Sequence, residues 1–174
     1  MDQFPPHGSP PSPDPGATGP SNSVGFSLSQ VGLETARQFG DVVGALGLEP
    51  RHFAVLHAVH RDEGQSQQAI GDQLVIPAST MVAIVDHLEG KGLVERRHRV
   101  ADRRTRTLHL TARGEALLSK ALVAAMGQED RICAGFEPGE RAQLLALLRR
   151  VSRNLGVPPT ALPDRGSGVR PHQI

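Results

Sequence analysis

Between residues 24 and 155 the apolar positions fall mostly at helical spacing, with one short interruption. Leu28, Val31, Thr35, Phe39, Val42 and Leu46 predict a first helix over 24–46. Gly32, Gly40 and Gly44 lower its intrinsic propensity, so it needs packing from elsewhere to persist. Gly47 stops it, and Pro50 suits the start of a second helix over 51–61, with Phe53 and Leu56 on one side. Asp62 to Gln65 breaks that helix. Ser66 can then cap a short third helix over 67–74, with Ala69, Ile70 and Leu74 as its buried face. Val75-Ile76-Pro77 turns into a fourth helix over 78–91, whose core stripe is Met81, Ile84, Val85 and Leu88. A short helix, a tight turn and a second helix of this length form the helix-turn-helix pattern.

The period changes after Gly90-Lys91-Gly92. Residues 93–98 and 106–110 read as two strands, in which Leu108 and Leu110 alternate with Thr107 and His109. A two-stranded hairpin is marginal alone and must lean on the helix-turn-helix as a wing. Thr111 can cap a long fifth helix over 112–134, with Leu117, Leu118, Ala121, Leu122, Ala125 and Ile132 on one face. A last helix over 139–155 has the broad stripe Leu144, Leu145, Leu147, Leu148, Val151 and Leu155. The fold class is mainly α with a small β-hairpin wing: a winged helix-turn-helix flanked by helices that bury their broad apolar faces on each other within one chain or, as dimerisation helices, on a second copy. The candidate DNA-binding lobe spans about 50–111 and the candidate dimerisation helices about 26–46 and 112–155, within one domain at 26–155. Pro/Gly/Ser-rich stretches at 1–25 and 156–174 read as disordered tails.

Composition changes this picture in a few places. With no Trp, no Tyr and five Phe, the core must be aliphatic. The net charge of +1 points to no acidic partner, but its distribution does. From 95 to 106, Arg96, Arg97, Arg99, Arg103, Arg104 and Arg106 stand against only Glu95 and Asp102. Such a local cationic excess is most often a nucleic-acid footprint. The single Cys133 excludes an intrachain disulfide and a Cys-rich zinc site. No stretch approaches a membrane span or a secretory signal, so the expected setting is cytoplasmic, with no membrane partner.

Several other chemistries compete with the DNA-binding reading. Asp86, His87 and Ser79 resemble a hydrolytic set in type only. Asp86 and His87 are adjacent on a helix and point about 100° apart, and there is no nucleophile elbow or phosphate loop. The expectation is no enzyme, no catalytic residue and no cofactor. His57 and His60 are helical neighbours but lack a third ligand at suitable spacing, so no metal site is expected. Cys133 reads as a buried thiol rather than an oxidant sensor. A winged-helix protein-interaction module with weak or lost DNA binding is the alternative function. Metal or oxidant sensing ranks below it.

The order of elements and the residues at their junctions resemble the MarR family of winged-helix regulators over about 26–155. The resemblance rests on Ser79-Thr80, on Asp86-His87-Leu88-Glu89-Gly90-Lys91-Gly92-Leu93-Val94-Glu95-Arg96, on Asp102-Arg103-Arg104, and on Leu110-Thr111-Ala112-Arg113-Gly114. It implies a homodimeric repressor on a palindromic double-stranded operator, released by a small-molecule effector. It also implies that Asp102 aims Arg104 into the minor groove, where a narrow groove attracts an inserted Arg. Arg96, Arg97, Arg103 and Arg106 would then contact phosphates or flank the groove. Ser79 and Thr80 would touch phosphate or base edges near the helix N-terminus. Val82 and Ala83 stand where relatives often carry a polar residue followed by Arg, so no guanine fork is available there. Base readout would rest more on His87, on Gln67 or Gln68, and on DNA shape. Phe53, His57 and Arg61 are candidate effector-binding residues.

Overall fold

The computed structural model describes residues 23–99 and 102–157, with only the backbone described at 99 and 102–105. The chain divides into two compact units between Arg37 and Gln38. Helix α1 (Val24–Gly44) crosses that division. It is followed by α2 (Pro50–Arg61), α3 (Gln67–Leu74), α4 (Ala78–Gly90), β1 (Val94–Arg99), β2 (Asp102–Leu110), α5 (Ala112–Ile132) and α6 (Glu140–Asn154). The expected tails lie largely outside the described residues.

The helix starts follow capping chemistry. Ser66 accepts the Ala69 backbone N–H at 3.2 Å, and Thr111 accepts that of Gly114 at 3.0 Å, each satisfying a donor that has no partner within its helix. The turn between α3 and α4 contains a strained residue. Val75 ends α3 at φ 56°, ψ 39°, a left-handed conformation that β-branched side chains rarely adopt. Its N–H bonds Asp72 at 3.2 Å, and Ile76 N–H bonds Gly71 at 2.9 Å, so the local hydrogen bonds hold the turn.

The core of the second unit is aliphatic, as the composition requires. Val55, Leu56 and Val59 of α2 meet Ile70, Met81, Ile84, Val85 and Leu88 of the helix-turn-helix, and Leu93, Leu108, Leu118 and Ala121 close it. Phe39 packs edge-on to Phe53 with ring centroids 5.3 Å apart. α6 contributes nothing to this core: none of its residues is buried.

β1 and β2 pair antiparallel from Val94↔Leu110 to His98↔Arg106, then shift register to Arg99↔Asp102. The hairpin is braced on its second side. Gly64 N–H donates to Leu108 O at 3.2 Å, Leu108 N–H donates to Gln65 O at 2.9 Å, and Ser66 bridges Thr107. This third segment corrects the expected alternation. Thr107 is buried rather than solvent-facing, because residues 64–66 lie along β2. Its hydroxyl lies 3.0 Å from His109 Nε2, and His109 Nδ1 lies 2.9 Å from Glu63.

Candidate nucleic-acid interface

α4 buries Met81, Ile84, Val85 and Leu88 and turns the opposite side outward. Ser79, Val82 and Ala83 are exposed and Thr80 is half-buried. Neither Ser79 nor Thr80 caps the helix: its N-cap is Pro77, with no side-chain cap bond. These four side chains therefore form a small, uncharged outer face on the second helix of the helix-turn-helix.

Three other residues expected at the DNA have partners within the chain. The Arg96 guanidinium pairs with Asp86 at 2.6 Å and with Glu89, and its Nη2 also donates to Gln67 Oε1 at 3.0 Å. Its backbone N–H donates to Glu89 at 3.3 Å. One Arg side chain, 15% exposed, thus ties β1 to α4 and α3. Arg96, expected at a phosphate, and Gln67, expected at a base edge, are joined in a strut between helix and wing. A planar fork with several donors suits this bridging, which a point-charge ammonium could not reproduce.

His87, the third, stacks on His52 of α2 with ring centroids 4.7 Å apart. His52 is buried, and its Nδ1 accepts the Glu49 backbone N–H at 3.2 Å at the start of α2. Burial lowers the His52 pKa from the ordinary 6.5; Glu49 opposes this, while His87, Arg51 and Lys91 add to it. Protonation would also convert the acceptor facing Glu49 N–H into a donor. The neutral ring therefore stabilises the fold fully above pH 6.5, and that contribution is lost as pH falls through the lower folded value. Urea titrations at neutral and mildly acidic pH should show His52→Gln losing less stability on acidification than the parent. An equal loss would assign the effect to other groups, His57 foremost, since burial and Arg61 lower its pKa too.

The wing carries the remaining candidates. Arg106 is exposed and forms no ion pair among the described residues, whereas Arg97 pairs with Glu95. The backbone places Asp102, Arg103 and Arg104 at the start of β2, beside the tip of the hairpin. Their side chains lie outside the described residues, so the expected Asp102–Arg104 pairing does too. On α2, Phe53 stacks on His57 with centroids 6.0 Å apart, and Arg61 pairs with Asp62 at 2.7 Å. The three effector candidates thus form one stripe along the helix. Among the described residues no group of three His, Cys, Asp or Glu is placed to hold a metal ion, and no single helix is long and apolar enough to cross a membrane.

A helix-turn-helix with an exposed second helix and an Arg-bearing hairpin beside it is a winged helix, a class of DNA-binding fold. The comparisons with known proteins agree. The MarR family model matches residues 46–105. A transcriptional regulatory protein proposed for the hcr operon of Thauera aromatica is 31% identical over 134 residues, 76% of this chain and 81% of that protein. The transcriptional repressor CouR, solved on a 23-mer DNA duplex, superposes with TM-score 0.69 at 33% identity, covering 76% of this chain and 94% of that one. CouR from Rhodococcus jostii RHA1 bound to p-coumaroyl-CoA gives TM-score 0.66 at 27% identity, covering 78% and 95%. The chain belongs to the MarR family of winged-helix transcriptional regulators.

Proposed function

We propose that the protein is a homodimeric repressor that binds a palindromic operator and leaves it when a small molecule binds. The observation that carries the DNA-contacting part is the outer face of α4, Ser79, Thr80, Val82 and Ala83. It lies outside the core and is braced by Arg96 to the wing that bears Asp102, Arg103, Arg104 and Arg106. That face offers hydroxyls and methyls but no guanidinium. Thymine methyls and phosphates are its natural contacts, and the wing supplies the positive charge. Asp102 orients Arg104 toward the minor groove, while Arg103 and Arg106 meet the backbone. CouR, captured on DNA and with p-coumaroyl-CoA, supports both the operator and the small-molecule parts.

The dimer is supported by apolar surface left exposed among the described residues. Val123, Met126 and Ile132 on α5 and Leu144, Leu145, Leu147 and Leu148 on α6 are exposed. Apolar exposure concentrated on two consecutive helices marks an association surface. A two-fold pairing through it would set two α4 helices about one DNA turn apart.

Operator binding followed by fluorescence anisotropy, on fragments flanking the coding region, tests the assignment. Arg104→Ala should weaken binding by about 1–3 kcal/mol, with the dimer intact by analytical ultracentrifugation. Unchanged affinity would remove Arg104 from the interface, and a monomer at micromolar concentration would remove the dimer.

A further inference from the structure

The wing is tied to the rest of the chain on both of its faces. Side chains alternate across a strand, so Arg96 and Arg97 point to opposite sides of β1. Arg96 takes one side, with its bonds to Gln67, Asp86 and Glu89. On the other side a polar chain crosses from the α2–α3 loop to β1. His109 Nδ1 lies 2.9 Å from Glu63 Oε1, His109 Nε2 lies 3.0 Å from Thr107 Oγ1, and that hydroxyl lies 3.3 Å from the Arg97 carbonyl oxygen. A carboxylate only accepts, so His109 Nδ1 carries a proton. In the neutral ring Nε2 then accepts the Thr107 hydroxyl; in the imidazolium Nε2 donates to it, and the hydroxyl turns to the Arg97 carbonyl. Either state links the loop to the hairpin. The bond from His109 is the main cause holding the Glu63 carboxyl below the ordinary carboxylate range; burial opposes it, and the charges of His109, Arg97 and His60 add to it. Glu95, opposite His109 on the ladder, is occupied by Arg97.

We infer that Glu63, His109 and Thr107 are positioning residues for DNA binding: they fix the angle of the wing against the helix-turn-helix, and so the place its arginines take on the duplex. A two-stranded hairpin is marginal alone. Held on one side only, it can still roll about its own axis; a tie on each side removes that freedom. The backbone works in the same direction. Gly64, at φ 81°, turns the chain directly after Glu63, and its N–H donates to the Leu108 carbonyl at 3.2 Å, between Thr107 and His109. Backbone and side-chain ties therefore meet on the same three residues of β2. None of the three positioning residues needs to touch DNA. The inference goes beyond the Arg96 brace, and it rests on the operator reading above only for its effect on DNA.

Glu63→Ala is the first variant, because the side chain is 64% exposed and its removal opens no core. Removing a carboxylate near phosphates should, by charge alone, tighten DNA binding. Loss of the positioning bond should weaken it instead, by about threefold or more in anisotropy on operator DNA where parent and variant are both folded. Glu63→Gln, which keeps the acceptor without the charge, should bind at least as tightly as the parent. Thr107→Val, the same shape without the hydroxyl, should follow Glu63→Ala, and Thr107→Ser should recover the parent's affinity. Amide hydrogen exchange of the full chain without DNA reads the brace directly. In Glu63→Ala it should quicken by about threefold or more at 95–98 and 106–109, while α5 keeps the parent's protection. Tighter or unchanged DNA binding by Glu63→Ala would overturn the proposal, as would an equal weakening in Glu63→Gln. A lower melting midpoint with parental affinity and evenly raised exchange would also overturn it, leaving the network a structural one. If the parent binds no operator fragment, the operator reading fails, and the exchange comparison still decides the brace.

Discussion

Gly114→Ala should destabilise the protein by about 3 kcal/mol or more, read as a lower urea midpoint at unchanged slope. By helix propensity alone the sign would be opposite, since Ala is favoured over Gly by roughly 1 kcal/mol inside a helix. Packing decides against it. A Cβ at 114 would lie 2.0 Å from the Leu93 carbonyl oxygen and 3.0 Å from its carbonyl carbon. Those are backbone atoms, so no side-chain rotation relieves the clash. The same carbonyl accepts the Thr111 N–H at 3.1 Å, and the Thr111 hydroxyl donates to Gly92 O at 2.7 Å. Accommodating a methyl group means moving α5 off the root of the wing and breaking that pair of bonds. A midpoint equal to or above the parent's would show that α5 can shift at little cost.

Arg96→Ala should lower stability by about 1–2 kcal/mol, a range between exposed and buried ion pairs. The Arg end is mostly buried, but its carboxylate partners are not: the Asp86 and Glu89 side chains are 59% and 41% exposed, which discounts the Coulomb gain. The effect on DNA should be larger than the effect on folding. Without Arg96, two carboxylates beside the outer face of α4 lose their counter-charge and oppose the phosphates. Operator affinity should fall about tenfold or more at low salt, with the loss shrinking as salt screens the repulsion. Adding Asp86→Asn and Glu89→Gln to Arg96→Ala separates two explanations. If Arg96 acts by neutralising and orienting, the triple variant should recover much of the affinity. A direct phosphate contact would leave the loss unrepaired. Arg96→Lys should recover only part of the stability, because an ammonium cannot span Gln67, Asp86 and Glu89 together.

The ion pairs of Arg96 depend on contacts that residue type and spacing do not specify. Six arginines in a short stretch look equivalent when written in a line, and their summed charge points to nucleic acid. Their roles differ because β1 runs back past α4. That brings residue 96 against Asp86 and Glu89, while Arg97 is paired on the strand with Glu95 and Arg106 has no ion pair among the described residues. The same holds for His87, whose spacing marks it as off the core stripe. Its stack on His52 depends on how α2 crosses α4. Thr107 looked solvent-facing because a two-stranded ribbon has an open side; the pairing of 64–66 with β2 closes it. Gly114 was legible as part of a family pattern, but the reason for the glycine is a backbone approach from Leu93, twenty-one positions earlier.

Helix and strand positions were readable from the chain because period, caps and breakers act within a few residues of each other. The third helix is the clearest case: Ser66, its apolar triplet and the following turn place it over Gln67–Leu74. The helix-turn-helix, the wing and the aliphatic core follow from the same short-range signals, and the family from their order. Long-range contacts carry no such local mark. Which arginine braces, which histidine is buried, and where Lys91, Arg113 and Lys120 converge all depend on segments that meet only after folding. Lys91 and Lys120 lie far apart in the chain, and only the packing of α5 beside the end of α4 puts both on one groove.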